Sequence, residues 1–444
     1  MPASRPSSRD DFEVAIICAL PLEYSAAFLI FDELWDKDGD QYGRAPGDHN
    51  SYKTGRVGKY NVVLALLPHM GKVTAASAAA SMRSSYGSLR LALLVGVCGG
   101  MPRGEDGDVL LGDVIISKIV VQYDLGRLYP DKFVRKDAVS DNLGRPNTDI
   151  RSLLATFETD PGIDQLEDQT AHFLQELQDK VAQTKRQGKY DYPGTAQDKL
   201  YKPTYRHKHH GSPLCLCKSC LGDSDPVCEE ALSSSCADLG CEDAHLVKRN
   251  RLQLKHQLEL KGSNEAQQPG VHVGAVASGD MVIKSAAHRD KIAKESGVIA
   301  FEMEGAGVWD EVPCIVIKGV CDYADSHKHK GWQNFAAATA ASASKAILGC
   351  YIQTDKVKNV SSGESQGMSL YESPSKSSIL TIQQPRAAMT LLLPEQFTVT
   401  ARHQARLAPS FTALSQVITC FPEPRQRREQ QSITISGLKG KGTH

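Results

Sequence analysis

The sequence has no long apolar run and almost no net charge, and each absence excludes a class of protein. The apolar run Leu91 to Cys98 is much shorter than the roughly 20 residues of a membrane-spanning helix. The first residues, Met1 to Asp11, are polar and lack the apolar core of a secretory signal. The formal net charge is -1, so nothing indicates a nucleic acid polymer as partner. We expect a protein that is cytoplasmic, or alternatively nuclear, and that does not associate with membranes.

Two sequence signatures are also missing. The glycine turn at residues 96–100 does not end in Gly-Lys-Ser or Gly-Lys-Thr, so it is not a Walker phosphate loop. No internal repeat of fixed period is present. Because there is no secretory signal, the 12 cysteines do not predict a disulfide framework. The 444 residues can form one large or two ordinary domains, and 41% of them are hydrophobic and available for a core.

Short apolar runs alternate with helical segments along most of the chain. The runs that predict buried strands are 12–20, 60–67, 91–95, 113–117, 271–280, 298–301 and 315–321. The segments that predict helices are 22–29, 70–80, 150–157, 166–182, 290–296 and 332–348. This alternation is typical of a doubly wound α/β sheet.

Composition divides the chain into a domain, an insertion and two polar ends. Residues 1–10 are rich in Ser, Pro and Arg, which predicts disorder. The α/β domain occupies residues 11–352, and a polar segment rich in Lys, His and Cys interrupts it at about 183–265. Residues 353–444 contain much Ser, Gln, Pro and Arg with little periodicity, so we expect a mostly disordered tail.

Acidic side chains stand where three of the predicted strands end. These are Glu23, the pair Glu302 and Glu304, and Asp322. Open α/β sheets bind ligands at the carboxyl ends of their strands, so these acids are candidates for chemistry. If the segment is extended, Glu302 and Glu304 point the same way and Met303 points to the opposite face. The same acids could instead be helix caps or ion-paired structural groups.

Six pieces occur in a fixed order: AIICALPLEYSAA, LLVGVCGGMP, LGDVIIS, VASGDMVIK, FEMEGAG and GVCDYADSHKHKGWQNFAAATAA. Together they resemble the purine/uridine phosphorylase and nucleosidase family over about residues 11–352, most weakly over 150–265. The resemblance is greatest to the fungal version, in which this domain often precedes NACHT, ankyrin or TPR modules; no such module is visible in this sequence. It implies a three-layer α/β/α sandwich around a mixed twisted sheet, and a homo-oligomer.

Members of this family cleave the N-glycosidic bond of nucleosides, with water or phosphate as acceptor. The resemblance therefore implies a small-molecule nucleoside or nucleotide as partner, most often a purine, and no required cofactor. Phosphate would be a co-substrate if the protein is a phosphorylase. A catalytically silent module that senses a nucleotide is the alternative from another functional class.

The resemblance also implies roles for four residues. Asp322 matches the acid that protonates the leaving base, and Glu304 matches the glutamate that binds the ribose hydroxyls. Met303 would pack against the sugar, and Glu23 lies where hydrolytic members place the carboxylate that activates water. These roles suit the reaction, because cleavage builds positive charge on the sugar and negative charge on the base.

Other residues are expected to form the walls of the pocket. Gly99 and Gly100 match the glycine turn beneath ribose and base, and Val282 and Ile283 match the wall of the base pocket. Trp332 and Phe335 could cover the base or could anchor the last helix in the core. Val97 stands where many members have Ser or Thr. Asp325 could be a second acid or a helix N-cap.

Water is favoured over phosphate as the acceptor. Phosphorylases of this family hold phosphate with arginines after the first strand and just before the glycine turn, where this chain has Leu20 to Glu23 and Leu93 to Val95. Neither place contains Arg, the usual planar phosphate clamp, and a carboxylate at Glu23 would repel phosphate. Lys72 or Arg127 could replace the missing arginines.

Six cysteines are concentrated between Cys215 and Cys241, with histidines nearby. Structural zinc requires four Cys or His ligands in a tetrahedral array. The spacing makes one set possible: Cys217, Cys220, Cys236 and Cys241. A regular pair of Cys-x2-Cys motifs is absent, so a flexible loop with free thiols is the alternative.

Overall fold

The structure is a computed structural model that describes residues 5–37, 39–104, 107–211, 214–222 and 225–352. All described residues belong to one compact unit, which ends at Lys358. The predicted disorder of residues 353–444 therefore lies outside the described residues.

Thirteen strands are present in the described residues. In chain order, β1 to β13 are Val14–Cys18, Glu33–Leu34, Tyr52–Val57, Tyr60–Leu66, Leu91–Gly100, Arg103–Gly104, Gly107–Asp108, Val114–Gln122, Gly126–Leu128, Phe133–Arg135, Val271–Ser278, Val298–Glu302 and Cys314–Asp322. The strands of the domain centre are continuous runs of buried apolar residues, which suits strands covered on both faces.

Nine α-helices accompany them. In chain order, α1 to α9 are Pro21–Leu29, Lys72–Ser85, Thr148–Thr156, Asp160–Ala182, Cys236–Leu239, Asn250–Leu260, Ala286–Ser296, Gly305–Val308 and Gln333–Cys350. Pro21 begins α1, where its missing N–H is not needed. The densely packed small residues of α9 are almost all buried, so this helix lies close to the sheet.

Nine of the strands form one mixed sheet in the order β12-β11-β8-β13-β5-β1-β4-β3-β2. Neighbours β4, β1, β5 and β13 run parallel, whereas β8 is antiparallel to β13. β12 pairs with β11 on one side and, through Ala300 and Phe301, with the far end of β5 on the other. The strands β5, β13, β8, β11 and β12 thus form a closed ring beside the open part of the sheet.

Side chains that alternate along β1 enter two different cores. Val14 and Ile16 face the layer of α1, α4 and α9, whereas Ala15 and Ile17 face the layer of α2. This alternation is what a strand between two helical layers requires. The predicted α/β sandwich around a mixed sheet is confirmed.

Several elements differ from the expectation. The short 3-10 helix Arg9–Asp11 is capped by Ser8, and Arg5 donates a hydrogen bond to the carbonyl oxygen of Trp35 at 2.6 Å. Disorder throughout residues 1–10 was therefore wrong for the described residues from Arg5 onward, because local caps and contacts with the domain order them. Strand β3, Tyr52–Val57, was not predicted since its Lys, Gly and Arg residues dilute the apolar pattern.

The polar insertion contacts the domain through an ion pair between Arg251 and Asp113, which precedes β8. Within the insertion, Arg249 donates to Asp198 at 2.8 Å. The hydroxyl of Tyr323, next to the end of β13, donates to Asp198 at 2.8 Å. The insertion therefore contacts the sheet at the edge where β13 ends.

No described helix combines the length and the apolar composition that crossing a membrane would require.

Candidate active site

Several segments converge at the carboxyl ends of β1, β5, β12 and β13 to form an open cleft. The lining side chains include several carboxylates and an apolar wall. They are Ala19, Leu20, Glu23, Met70, Val97, Cys98, Gly99, Met281, Val282, Ile283, Phe301, Glu302, Met303, Glu304, Cys321, Asp322, Ala324, Lys328 and Gln333.

Seven of the nine residues predicted for catalysis and substrate binding line this cleft. They are Glu23, Gly99, Val282, Ile283, Met303, Glu304 and Asp322. In particular, Glu304 and Asp322, which end different strand segments, open into the same cavity. The sheet brings them together because β12 and β13 both end at this edge, on either side of the end of β5.

Glu302 and Glu304 do not share a face of an extended strand, as the sequence analysis expected. The chain turns after β12, and Glu304 already has helical backbone angles (φ -117°, ψ -30°) as the N-cap of α8. The Glu302 carboxylate bends back and accepts hydrogen bonds from the backbone N–H groups of Glu304 and Gly305 at 2.9–3.0 Å. Because of this turn, Met303 also faces the cleft rather than the opposite side.

Lys318 lies beneath the cleft and is a charged residue of the site that the sequence analysis missed. Its side chain is 1% exposed, and its Nζ is 3.1 Å from Glu304 Oε2 and 3.6 Å from Glu302 Oε2. Burial acts to lower the pKa of Lys318, but the charges of Glu304, Glu23 and Glu302 raise it overall. The available signal was a single lysine within the apolar run of β13, because a buried lysine needs an anionic partner.

Glu23 is 2% exposed and lies in the first turn of α1. Its Oε2 accepts the backbone N–H groups of Ala19 and Leu20 at 2.9 and 2.8 Å, and its Oε1 accepts that of Val97 at 2.8 Å. Each carboxylate oxygen can accept two hydrogen bonds, so Oε1 keeps one free acceptor position. Burial raises the pKa of Glu23 above its ordinary value, Lys318 partly opposes this, and Glu304 adds to it.

Asp322 ends β13 and is held by its neighbours. Its Oδ1 accepts the backbone N–H of Ala324 at 2.9 Å and lies 3.5 Å from Nζ of Lys328. Ala324 has a φ of 50°, in the left-handed region that a non-glycine residue rarely adopts. Such strain persists where the surrounding structure imposes it, often at functional sites. The second oxygen, Oδ2, is contacted by the Cys321 thiol at 3.5 Å.

Two glycines of β5 give these carboxylates room. A Cβ atom on Gly96 would lie 2.2 Å from Oε1 of Glu23, and one on Gly99 would lie 3.0 Å from Oδ1 of Asp322. The first distance is far below van der Waals contact, and the second is somewhat tighter than ordinary contact. The glycine turn therefore serves the placement of both acids.

Gly100 and Trp332 are the two predicted binding residues that do not line the cleft. Gly100 pairs with Ala300 in the closed ring, and its Cα faces Val320. Trp332 is fully buried and donates its indole N–H to the carbonyl oxygen of Gln197 at 3.0 Å. It anchors the start of α9 against the insertion, as does Phe335, so covering the base was the wrong alternative for both.

Asp325 is not a second acid of the cleft. Its Oδ1 accepts the backbone N–H of His327 at 2.9 Å, which closes a turn; no described helix begins at Asp325, so the helix N-cap was wrong as well. Burial raises the pKa of Asp325.

The cations proposed to replace a phosphate clamp lie elsewhere. Lys72 is engaged by Asp124 at 2.6 Å and by Asp280 at 3.5 Å. Arg127 is exposed on β9. Among the described residues that line the cleft, Lys328 alone carries a positive charge, and it lies beside Asp322.

The four cysteines predicted as one metal-binding set are not together. Cys236 and Cys241 cluster with His207 and His327, and Cys217 clusters with His209, Cys215 and Cys228. Cys220 belongs to neither cluster; its thiol contacts the carbonyl oxygen of Asp225 at 3.6 Å. The set Cys217, Cys220, Cys236 and Cys241 was wrong because sequence spacing could not show which histidines fold back onto each cysteine pair.

Comparison with known proteins gives a family match and a fungal relative. Residues 13–189 match the family described as "Phosphorylase superfamily". A nucleotide-binding leucine-rich repeat (NLR)-like protein of Hyaloscypha variabilis is 33% identical over 361 residues. That match covers 80% of this chain but only 31% of the relative, so the chain spans about a third of that protein's length.

Solved structures are similar at low sequence identity. The 5'-methylthioadenosine/S-adenosylhomocysteine nucleosidase of Helicobacter pylori is 17% identical, with 76% of this chain and 98% of that chain covered and a TM-score of 0.42. The futalosine hydrolase of Helicobacter pylori is 16% identical, with 76% and 98% covered and a TM-score of 0.41.

Proposed function

Because residues 13–189 match the phosphorylase superfamily, we propose that this chain cleaves the N-glycosidic bond of a purine nucleoside or nucleotide by hydrolysis. The observation that carries the proposal is the joint opening of Asp322, Glu304 and Glu23 into one cleft. Three strand-end carboxylates around an otherwise largely apolar cavity suit a reaction that creates a cationic sugar and an anionic base.

Each carboxylate has a separate role in this proposal. Asp322, at the side of the cleft with Lys328, donates a proton to the leaving base. Glu304 accepts hydrogen bonds from the sugar hydroxyls, while Lys318 balances its charge from below at 3.1 Å. Glu23 accepts a proton from the attacking water through the free acceptor position on Oε1. Met303 packs against the sugar, and Val282 and Ile283 form the wall for the base.

The electrostatics of the cleft favour water over phosphate. A phosphate near Glu23 would meet a buried carboxylate and no arginine among the described lining residues. Lys318 is already surrounded by the carboxylates of Glu304, Glu302 and Glu23 and has no direct path to a ligand phosphate. Phosphate binding normally uses Arg or Lys donors that point at the anion.

A substrate panel tests this proposal. The purified chain is incubated with adenosine, methylthioadenosine, ATP, guanosine and uridine, each with and without phosphate, and free base is measured by chromatography. Hydrolysis predicts release of a purine base at equal rates with and without phosphate. Release only with phosphate would show phosphorolysis, and binding of a nucleotide without release would show a sensing module; either result overturns the proposal.

A further inference from the structure

Two clusters of cysteine and histidine side chains lie in the insertion, outside the candidate active site. The first contains His209, Cys215, Cys217 and Cys228. The second contains His207, Cys236, Cys241 and His327. In each, one potential ligand atom per residue lies within 4.8 Å of all the others. The active-site chemistry uses none of these eight side chains.

The distances in the first cluster match those of ligands around one zinc ion. Nδ1 of His209 lies 3.6, 3.9 and 3.4 Å from the sulfurs of Cys215, Cys217 and Cys228. The sulfurs of Cys217 and Cys228 are 3.7 Å apart. Around tetrahedral zinc, two sulfurs are about 3.8 Å apart and a sulfur and a nitrogen about 3.6 Å. A separation of 3.7 Å also excludes a disulfide bond between these two cysteines.

The second cluster has the same property with a different ligand set. The sulfur of Cys236 is 3.7 Å from Nδ1 of His207 and 3.6 Å from Nδ1 of His327, and the sulfur of Cys241 is 3.7 Å from Nδ1 of His207. The two Nδ1 atoms are 3.3 Å apart. Two nitrogens on tetrahedral zinc are about 3.3 Å apart, so every measured edge fits.

The outer nitrogens of these histidines are already oriented as those of metal ligands are. Nε2 of His207 lies 3.0 Å from the carbonyl oxygen of Ser234, and Nε2 of His327 lies 3.0 Å from that of Tyr205. Nε2 of His209 faces Oε2 of Glu230 at 3.7 Å, which is beyond hydrogen-bond distance. A hydrogen bond from Nε2 to an oxygen leaves the lone pair on Nδ1, where it can bind a metal.

The part of the insertion between residues 202 and 246 has little apolar core of its own. Its own hydrophobic cluster contains three buried residues, Cys217, Ala231 and Leu239. Between residues 202 and 246 its described helices have three or four residues each. Small segments with so little core usually require a metal or disulfides to fold.

We propose that the insertion binds two structural zinc ions, one in a Cys3His site and one in a Cys2His2 site. Four-coordinate sulfur and nitrogen sets of these compositions select zinc. Binding converts the cysteine thiols to thiolates and releases their protons to solvent. No position is left open for substrate, so the metals act on structure and not on the reaction.

The second zinc also fixes the segment that carries Asp322. His327 is five residues beyond Asp322 and adjacent to Lys328, whereas the other three ligands belong to the insertion. The ring of His327 stacks on Tyr201 at 4.2 Å between centroids. The Cys2His2 site thus joins the insertion to the end of β13, and the Cys3His site lies wholly within the insertion.

Metal analysis of the full-length chain tests the proposal. Protein purified without chelators is predicted to contain about two zinc ions per chain. Cys228→Ser and Cys241→Ser should each reduce this to about one, and the retained zinc shows that the variant has folded. Cys220→Ser is the matched control, since Cys220 is a buried cysteine of the same insertion outside both sites, and it should keep two.

Cobalt replacement gives a readout that needs no variant. Wild-type protein loaded with Co²⁺ should show the visible absorption of tetrahedral cobalt together with thiolate-to-metal charge transfer. About one zinc or none in the wild type, octahedral cobalt spectra, or loss of a zinc in Cys220→Ser would each overturn the two-site proposal. These measurements do not depend on nucleoside cleavage.

Hydrogen exchange separates the roles of the two sites. Cys241→Ser should increase amide exchange over residues 322–328, because it frees His327 from the metal. Cys228→Ser loses a zinc as well, and should leave exchange in that segment unchanged. Equal exchange of residues 322–328 in both variants and the wild type would contradict the anchoring role.

Discussion

At the scale of single residues, the cleft brings three carboxylates close to one buried lysine. The Nζ of Lys318 contacts Glu304 at 3.1 Å and Glu302 at 3.6 Å, and three backbone N–H groups hold Glu23. The Glu302 carboxylate accepts hydrogen bonds from the backbone of the turn that positions Glu304. The carboxylates left to act on a substrate are therefore Glu23, Glu304 and Asp322.

Replacing Asp322 with Asn should lower kcat by about 10²–10⁴-fold with little change in KM. The amide can still accept the backbone N–H of Ala324, so the segment keeps its shape, but it has no acidic proton for the base. Steady-state kinetics of base release measure both constants. Asp280→Asn is the control, because Asp280 is an exposed strand-end acid that does not line the cleft. An unchanged kcat in Asp322→Asn would remove the acid assignment.

The pH dependence of kcat/KM should follow the ionisation of the Glu23 carboxyl group. As a base it acts when ionised, and burial raises its pKa above the ordinary 4.5. The rate must therefore fall as the pH drops through this raised value, so the acid limb of kcat/KM lies above pH 4.5. Glu23→Gln should lower kcat about 10²–10⁴-fold and remove this limb. A limb that persists unchanged in Glu23→Gln would assign it to another group.

Much of the residue-scale site could be predicted from the sequence. Asp322, Glu304 and Glu23 follow apolar strands, and parallel strand ends share one edge of a sheet. Lys318 was missed because a single lysine inside an apolar run has no local signal for its partners, which are distant in sequence. Trp332 is positioned by its hydrogen bond to Gln197 of the insertion. Hydrophobic periodicity does not predict such a contact.

Lys318 also contributes to stability. Replacing it with Met leaves the buried carboxylates of Glu302 and Glu304 without a countercharge, which should cost about 3–5 kcal/mol of unfolding free energy. Urea unfolding of the variant and the wild type measures this. Lys118→Met is the matched control in strand β8, since its ion pair with Glu158 is 55% and 41% exposed and contributes about 0–1 kcal/mol. Similar losses for both lysines would contradict the buried network.

At the scale of elements, the contact between β5 and the first turn of α1 positions Glu23. Gly96 permits it, because any Cβ there would overlap the Glu23 carboxylate at 2.2 Å. The strand positions themselves followed from apolar runs. The closure of β12 onto β5 did not, since pairing between strands 200 residues apart depends on their twist and on the glycines that let them approach.

Gly96→Ala should therefore displace the Glu23 side chain and break its hydrogen bond with Val97. A displacement of about 1 Å at a catalytic group can cost about 10²-fold in rate, so kcat should fall by about that factor. Gly87→Ala is the control, because a Cβ at Gly87 meets nothing within 4 Å. Wild-type kcat in Gly96→Ala would show that the Glu23 position is not critical.

At the scale of the whole molecule, the sheet provides the cleft and the insertion packs beside the end of β13. The insertion reaches Tyr323 through Asp198 and Arg249, and it meets His327 through His207. Its location as an interruption of the α/β domain was predictable from composition. Its fold was not, because Cys and His side chains from distant positions, including His327 of the domain, come together there. The homo-oligomer implied by family resemblance stays a prediction.

The most direct test of the account is the fate of the acceptor oxygen. The full-length chain is incubated with a purine nucleoside in ¹⁸O-water that also contains phosphate, and the sugar product is analysed by mass spectrometry. The account predicts free base and a sugar that carries one ¹⁸O atom at its anomeric carbon. A sugar 1-phosphate, or no release of base from any nucleoside or nucleotide tested, would contradict it.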